Sequence, residues 1–231
     1  MTLPDTFYLP DFLILLGGAA LLAVLMVAFL PKMMYKTDAA LPELPRWFLF
    51  AAPIIAAAAA TSLYFVDNSN QIIVGVWALI AAFAGVNALT DLKFHRVPNV
   101  LNFNQLILVT IGLVTTAALF DMWSNLMWAG IILVAVGGLF FLQLMIGLHA
   151  AGDLKYMPVV AAALAFVNPW LAVVWLVFGY VLGFIFGAIE LAFASKERGP
   201  KSKIKGAFVP PFVLALLLLP FAESVGLVAS L

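Results

Sequence analysis

The stretch IIVGVWALIAAFAGVNALTDLKFHRVPN, from Ile72 to Asn99, decides the fold. Its first part, Ile72–Thr90, carries no charge; Asp91, Lys93, His95 and Arg96 then follow close together. One crossing of the hydrocarbon core needs roughly 20 apolar residues, and this run has that length. Its apolar residues are continuous rather than alternating, which points to a helix and away from a barrel strand. A helix satisfies its own backbone hydrogen bonds in dry hydrocarbon, so the charged cluster marks where the chain regains water. The tripeptide Asp-Leu-Lys that ends the run at Asp91–Lys93 recurs at Asp153–Lys155, again amid apolar sequence.

The remainder of the chain has the same character. Of 231 residues, 66% are hydrophobic and 10% charged, and the mean hydropathy is +1.17. Soluble domains average about 25% charged residues, so the solvent here is lipid. There is no cysteine, which excludes disulfides, thiolate catalysis and cysteine-ligated zinc. Net charge is zero, and no nucleic-acid partner is expected. The start MTLPDTFYLPDF has no basic segment and carries two acids, so it does not read as a cleaved signal peptide. Residues 1–231 read as a single integral-membrane domain.

Eight spans are predicted: Phe12–Leu30, Trp47–Val66, Ile72–Thr90, Val100–Phe120, Trp123–Leu148, Leu154–Val167, Trp170–Ala194 and Phe208–Ala229. The sixth is short and has three options: to cross with little tilt, to stop short or to lie inside the bundle. With the N-terminus outside, alternation puts all eleven Lys and Arg on the cytoplasmic side, among them Lys32, Arg46, Lys93, Arg96, Lys155 and Lys201. Only acids are left outside: Asp5, Asp11, Asp67, Asp121 and Glu223. Both Asp-Leu-Lys copies then face the cytoplasm. Gly179, Gly183 and Gly187, spaced four apart, and the run Ala56–Ala60 suit close helix packing.

Asp91 is expected to close the third helix, and Asp153 to lie between the fifth and sixth. Both could be ordinary interfacial charges. Local features argue for more. Asn87 lies one turn before Asp91, carrying polarity inward. Pro98, in Val97–Asn99, suits the first turn of the next helix. Small residues in AAGD, Ala150–Asp153, let another backbone approach the second carboxylate. Gln143 adds a polar group deeper in the fifth helix, which structural hydrogen bonding explains equally well. Two carboxylates in a low-dielectric pocket cannot both ionise easily and come to share a proton, which is aspartic-protease chemistry.

DLKFHRVPN and AAGDLK resemble the two motifs of the prepilin peptidase family, membrane aspartic proteases that process type IV pilins and pseudopilins. In that family an Asp precedes a short basic stretch and an aliphatic-Pro-Asn; the second motif is Gly-x-Gly-Asp, usually followed by Lys. GAFVPPF, before the last span, loosely resembles a proline-aromatic segment that often opens the family's final helix. The resemblance implies an all-α polytopic bundle of about eight transmembrane helices in the bacterial cytoplasmic membrane. It implies a catalytic dyad of Asp91 and Asp153, no cofactor, and a substrate with a basic leader and an apolar helix. Gly152 would be the close-approach glycine. Lys93, Lys155, Pro98, Asn99, Asn87 and His149 would be supporting neighbours. Ala150 replaces the usual first glycine. The missing cysteines and the short first loop resemble the peptidase-type branch serving tight-adherence (Flp) pili more than the bifunctional members, which also methylate the new N-terminus.

Three other readings stand beside it. Asp91 with His95 and His149 with Asp153, each four apart, could form a metal site. A proton-coupled carrier would need carboxylates near the membrane midplane and broken inner helices, whereas Glu190, the other acid within a span, lies about one turn from its cytosolic end. A folded but inactive homologue is the third, suggested by Ala150.

Overall fold

The computed structural model of the chain describes residues 7–34, 44–68, 70–146, 151–194 and 208–224. The side chains of 32–34, 151–153, 190–194 and 223–224 lie outside that description. The described residues form eight helices and no strand: α1 (Leu9–Met34), α2 (Phe48–Val66), α3 (Gln71–Phe94), α4 (Asn99–Phe120), α5 (Trp123–Met145), α6 (Ala151–Val167), α7 (Pro169–Ala194) and α8 (Val209–Ser224). Six of them are long and apolar enough to cross a membrane; α6 and α8 are shorter apolar helices. The chain is therefore a multi-pass helix bundle, as its composition requires.

Several boundaries depart from the sequence reading. α3 runs one turn past Asp91 to Phe94, because His95 takes a left-handed conformation (φ 50°) and ends the helix. Asp153 lies within the first turn of α6 rather than in a loop before it, and Gly152 is helical as well. Pro98 precedes the first turn of α4 as its cap residue (φ −63°, ψ 131°) instead of sitting inside that turn. An extended ψ is what a residue outside the helix should have.

Burial sorts the helices. α3 is the central one: every residue from Ile80 to Asp91 is buried. Its neighbours are α1, α2, α4 and α8. α6 is the second interior helix, buried from Tyr156 to Phe166 and packed on α4, α5 and α7. Its shortness does not stop it from running the length of the bundle. At one end Lys155 reaches Asn99, the first residue of α4. At the other, the Phe166 carbonyl accepts from Asn125 Nδ2 of α5 at 2.8 Å, and Phe166 lines a crevice with Phe120 of α4 and Asp67 after α2. Of the sequence options, lying inside the bundle is the one realised. An interior helix meets protein rather than lipid headgroups and needs no extra turns to reach water.

Helices in lipid gain little from hydrophobic burial against one another, so close packing and satisfied polar groups hold them. In the α2–α3 seam the two backbones approach closely. Ala52, Ala56, Ala59 and Ala60 are fully buried, and Gly85 lies against the Ala52 carbonyl. Within the alanine run, Ala56, Ala59 and Ala60 are buried as expected, while Ala58 is exposed. The glycine series on α7 packs closely only in part: Gly179 makes room for the Phe212 ring and Gly183 lies near Phe208, but Gly187 has nothing within 4 Å. Fully buried Trp77 and Trp175 each place the indole N–H on a backbone carbonyl, of Asp67 at 3.0 Å and Phe212 at 2.9 Å. A buried indole without such a partner would cost stability.

Candidate active site

Asp91 sits near the end of α3 with only 5% of its surface exposed. It is therefore not a solvated interfacial charge. Its Oδ2 accepts a hydrogen bond of 2.8 Å from the backbone N–H of Val209, the first residue of α8. The first N–H groups of a helix have no intrahelical acceptor, and the macrodipole makes that end electropositive. Asp91 thus caps α8 from a different helix, 118 positions away in sequence. A carboxylate buried in an apolar bundle is held by the one kind of backbone terminus that favours negative charge.

Polar side chains lead inward from this point. Asn87, one turn deeper on α3 and fully buried, donates from Nδ2 to Asn102 Oδ1 of α4 at 3.2 Å. Asn102 and Gln105 share the buried face of α4. On α6, Tyr156 is fully buried one turn beyond Asp153. Among the described residues, Asn87 Oδ1, both polar atoms of Gln105 and the Tyr156 hydroxyl find no hydrogen-bond partner. Buried polar groups are rarely left so, and bound water is the usual complement. Sequence reading singled out Asn87 but not Asn102, Gln105 or Tyr156. The signal was present: Asn99, Asn102 and Gln105 recur every third residue in a run that is otherwise mostly apolar.

The other expected residues divide. Lys155 donates from Nζ to Asn99 Oδ1, tying the first turns of α6 and α4 together. Lys93, Arg96 and His95 are exposed. Pro98 is buried between α3 and α4. Tyr180 Oη donates to Gln143 Oε1 at 2.8 Å, so Gln143 ties α5 to α7. The Asp153 side chain lies outside the described residues, as do His149, Ala150 and the side chain of Glu190. The backbone nevertheless sets Asp153 two residues before Lys155, at the end of the bundle that carries Asp91.

The chain matches no family model, and neither the search of curated proteins nor that of solved structures found a match.

His95 bears on the metal reading. It follows α3 in a left-handed conformation, outside the helical register, and is exposed while Asp91 is buried. Among the described residues no three His, Cys, Asp or Glu side chains gather to hold a metal ion. The same geometry predicts a stability effect. His95→Gly removes the Cβ penalty at φ 50° and should stabilise by up to about 1 kcal/mol, whereas His95→Val should destabilise by about 1–2 kcal/mol. Thermal unfolding in detergent checks both, and a His95→Gly loss exceeding the Val loss would contradict the capping role.

Proposed function

We propose that this chain is a membrane aspartic endopeptidase that removes the basic leader from prepilin-like substrates, with Asp91 and Asp153 as its catalytic pair. The observation that carries the reading is Asp91: a buried carboxylate at one end of the bundle, within DLKFHRVPN, held by a helix N-terminus. A solvated topology signal needs neither burial nor a partner on another helix. A carrier would favour acids near the middle of the bundle, and Asp91 is one turn from the end of α3.

The chemistry needs no group beyond the two acids. One carboxylate is charged and takes a proton from water as the water oxygen attacks the scissile carbonyl carbon. The protonated partner hydrogen-bonds the carbonyl oxygen, and collapse of the tetrahedral species delivers a proton to the departing amide nitrogen. The products are a leader with a new carboxylate and a mature helix with a new amine. The pair titrates as a unit, so acid and base are not divided between Asp91 and Asp153. The Val209 N–H fixes the orientation of the Asp91 carboxylate. The distribution of Lys and Arg favours the cytoplasmic side of a bacterial inner membrane for this end of the bundle.

Co-expression with a Flp-type prepilin, with the leader followed by mass, tests the reading. Loss of the leader only when this chain is present is the expected result. An uncut prepilin with wild type but a cut one with Ala150→Gly would assign the chain to an inactive branch; uncut prepilin with both would sink the peptidase reading for this substrate class.

A further inference from the structure

Between α4, α5 and α6 a groove of about 550 Å³ opens on the outer surface of the bundle. α4 and α5 touch little, while both pack on α6, which forms the floor. Phe103 and Leu106 of α4, Leu133 and Gly137 of α5, and Pro158 and Val159 of α6 make it apolar. Its rim at the Asp91 end is polar: Asn99, Asn102 and Lys155 line it too.

We propose that this groove is the docking site for the apolar helix of a single-span protein substrate, and that its polar rim holds the extended segment to be cut. The proposal rests on the peptidase reading and says where the substrate enters. Three observations favour a polypeptide over a lipid chain. The rim is continuous with the site: Asn102 accepts from Asn87, one turn from Asp91, and Leu154 and Lys155 directly follow Asp153. It offers both kinds of hydrogen-bonding group that an unwound backbone needs. The Lys155 ammonium carries three N–H donors, one of them given to Asn99. Pro158 has no N–H to give the Leu154 carbonyl, which leaves that acceptor beside the groove without its helical partner. Finally, the weak α4–α5 contact leaves a lateral opening, whereas an acyl chain needs only a crevice. The substrate helix would lie along Phe103, Leu106 and Leu133 and deliver its end to the two aspartate-bearing helices.

Two neighbouring glycines on α5 give a matched test. A Cβ at Gly137 would meet only Pro158, at 3.9 Å, at a position that lines the groove, while a Cβ at Gly138, which does not line it, has nothing within 4 Å. Gly137→Phe should lower prepilin cleavage by at least about tenfold, and Gly138→Phe should leave it within about twofold. Equal cleavage by both variants would overturn the groove. Because the chain has no cysteine, position can be read directly. Phe103→Cys and, as a control on the α7 surface, Phe184→Cys would be built on Asp91→Asn and oxidised in membranes with a Flp-type prepilin bearing one cysteine in its helix. A disulfide from position 103 and none from 184 supports the groove, even if wild type fails to cut, which would count against the peptidase reading alone. A disulfide from 184 only, or from neither, rejects the groove whatever the cleavage result, and leaves it to lipid.

Discussion

Asp91→Asn is expected to abolish leader cleavage while leaving the bundle as stable as the parent. A structural role and the proposed catalytic one converge on this residue, and asparagine separates them. As a cap of α8, Asp91 needs only an oxygen that accepts from the Val209 N–H. Asn and Asp cap helices about equally well, so the thermal midpoint should move by no more than about 0.5 kcal/mol in equivalent stability. As a catalytic group, Asp91 must exchange a proton, which an amide cannot do. The loss in rate should be on the order of 10²–10⁴-fold, and Asp153→Asn should match it, since a pair that works as a unit fails when either member is removed. Asp91→Ala adds a structural penalty of about 1 kcal/mol by leaving the Val209 N–H without its acceptor. Cleavage by mass and unfolding in detergent, measured on the same membranes, give both numbers. Full activity in Asp91→Asn would make the residue a helix cap only.

The largest stability effect is expected at Gly85. A Cβ built there would lie 2.5 Å from the Ala52 carbonyl oxygen and 3.2 Å from the Ala56 nitrogen. Both are backbone atoms of α2, so no rotamer change can relieve the clash; the helices must separate. Overpacking of this kind costs about 1–3 kcal/mol for Ala, and Gly85→Leu should exceed that or prevent folding. Gly75→Ala is the control: its position is open, and removing a mid-helix glycine should be neutral or stabilise by up to about 1 kcal/mol. Similar losses for Gly85→Ala and Gly75→Ala would mean that α2 and α3 do not approach as closely as the geometry places them. Asp91 lies on the same helix, so small shifts at Gly85 should also lower activity before the bundle unfolds.

Much of the architecture was legible because lipid imposes so few solutions. Uninterrupted apolar runs in a chain with 10% charged residues can only be helices that satisfy their own backbone, and eight such runs became eight helices. The helix ends were less legible. The turn after Asp91 belongs to α3 because a left-handed His95 ends that helix, and side chains alone seldom announce such a conformation in a residue other than glycine. Asp153 joins α6 because nothing in Ala151–Leu154 forbids helix, although the apolar run by which the span was read begins only at Leu154.

Sequence by itself determined that this is a polytopic helical membrane protein and that Asp91 and Asp153 are its conspicuous acids, since apolar surface and isolated charge can be read without knowing who touches whom. Tertiary structure alone decided that Asp91 is buried against the N-terminus of α8, that Asn102 joins Asn87, that Gly85 meets α2, and that α6 lies inside the bundle. Each of those facts pairs residues from different helices. In a bilayer every apolar face can be satisfied by lipid, so hydropathy does not say which faces meet; close packing and hydrogen bonds between helices do.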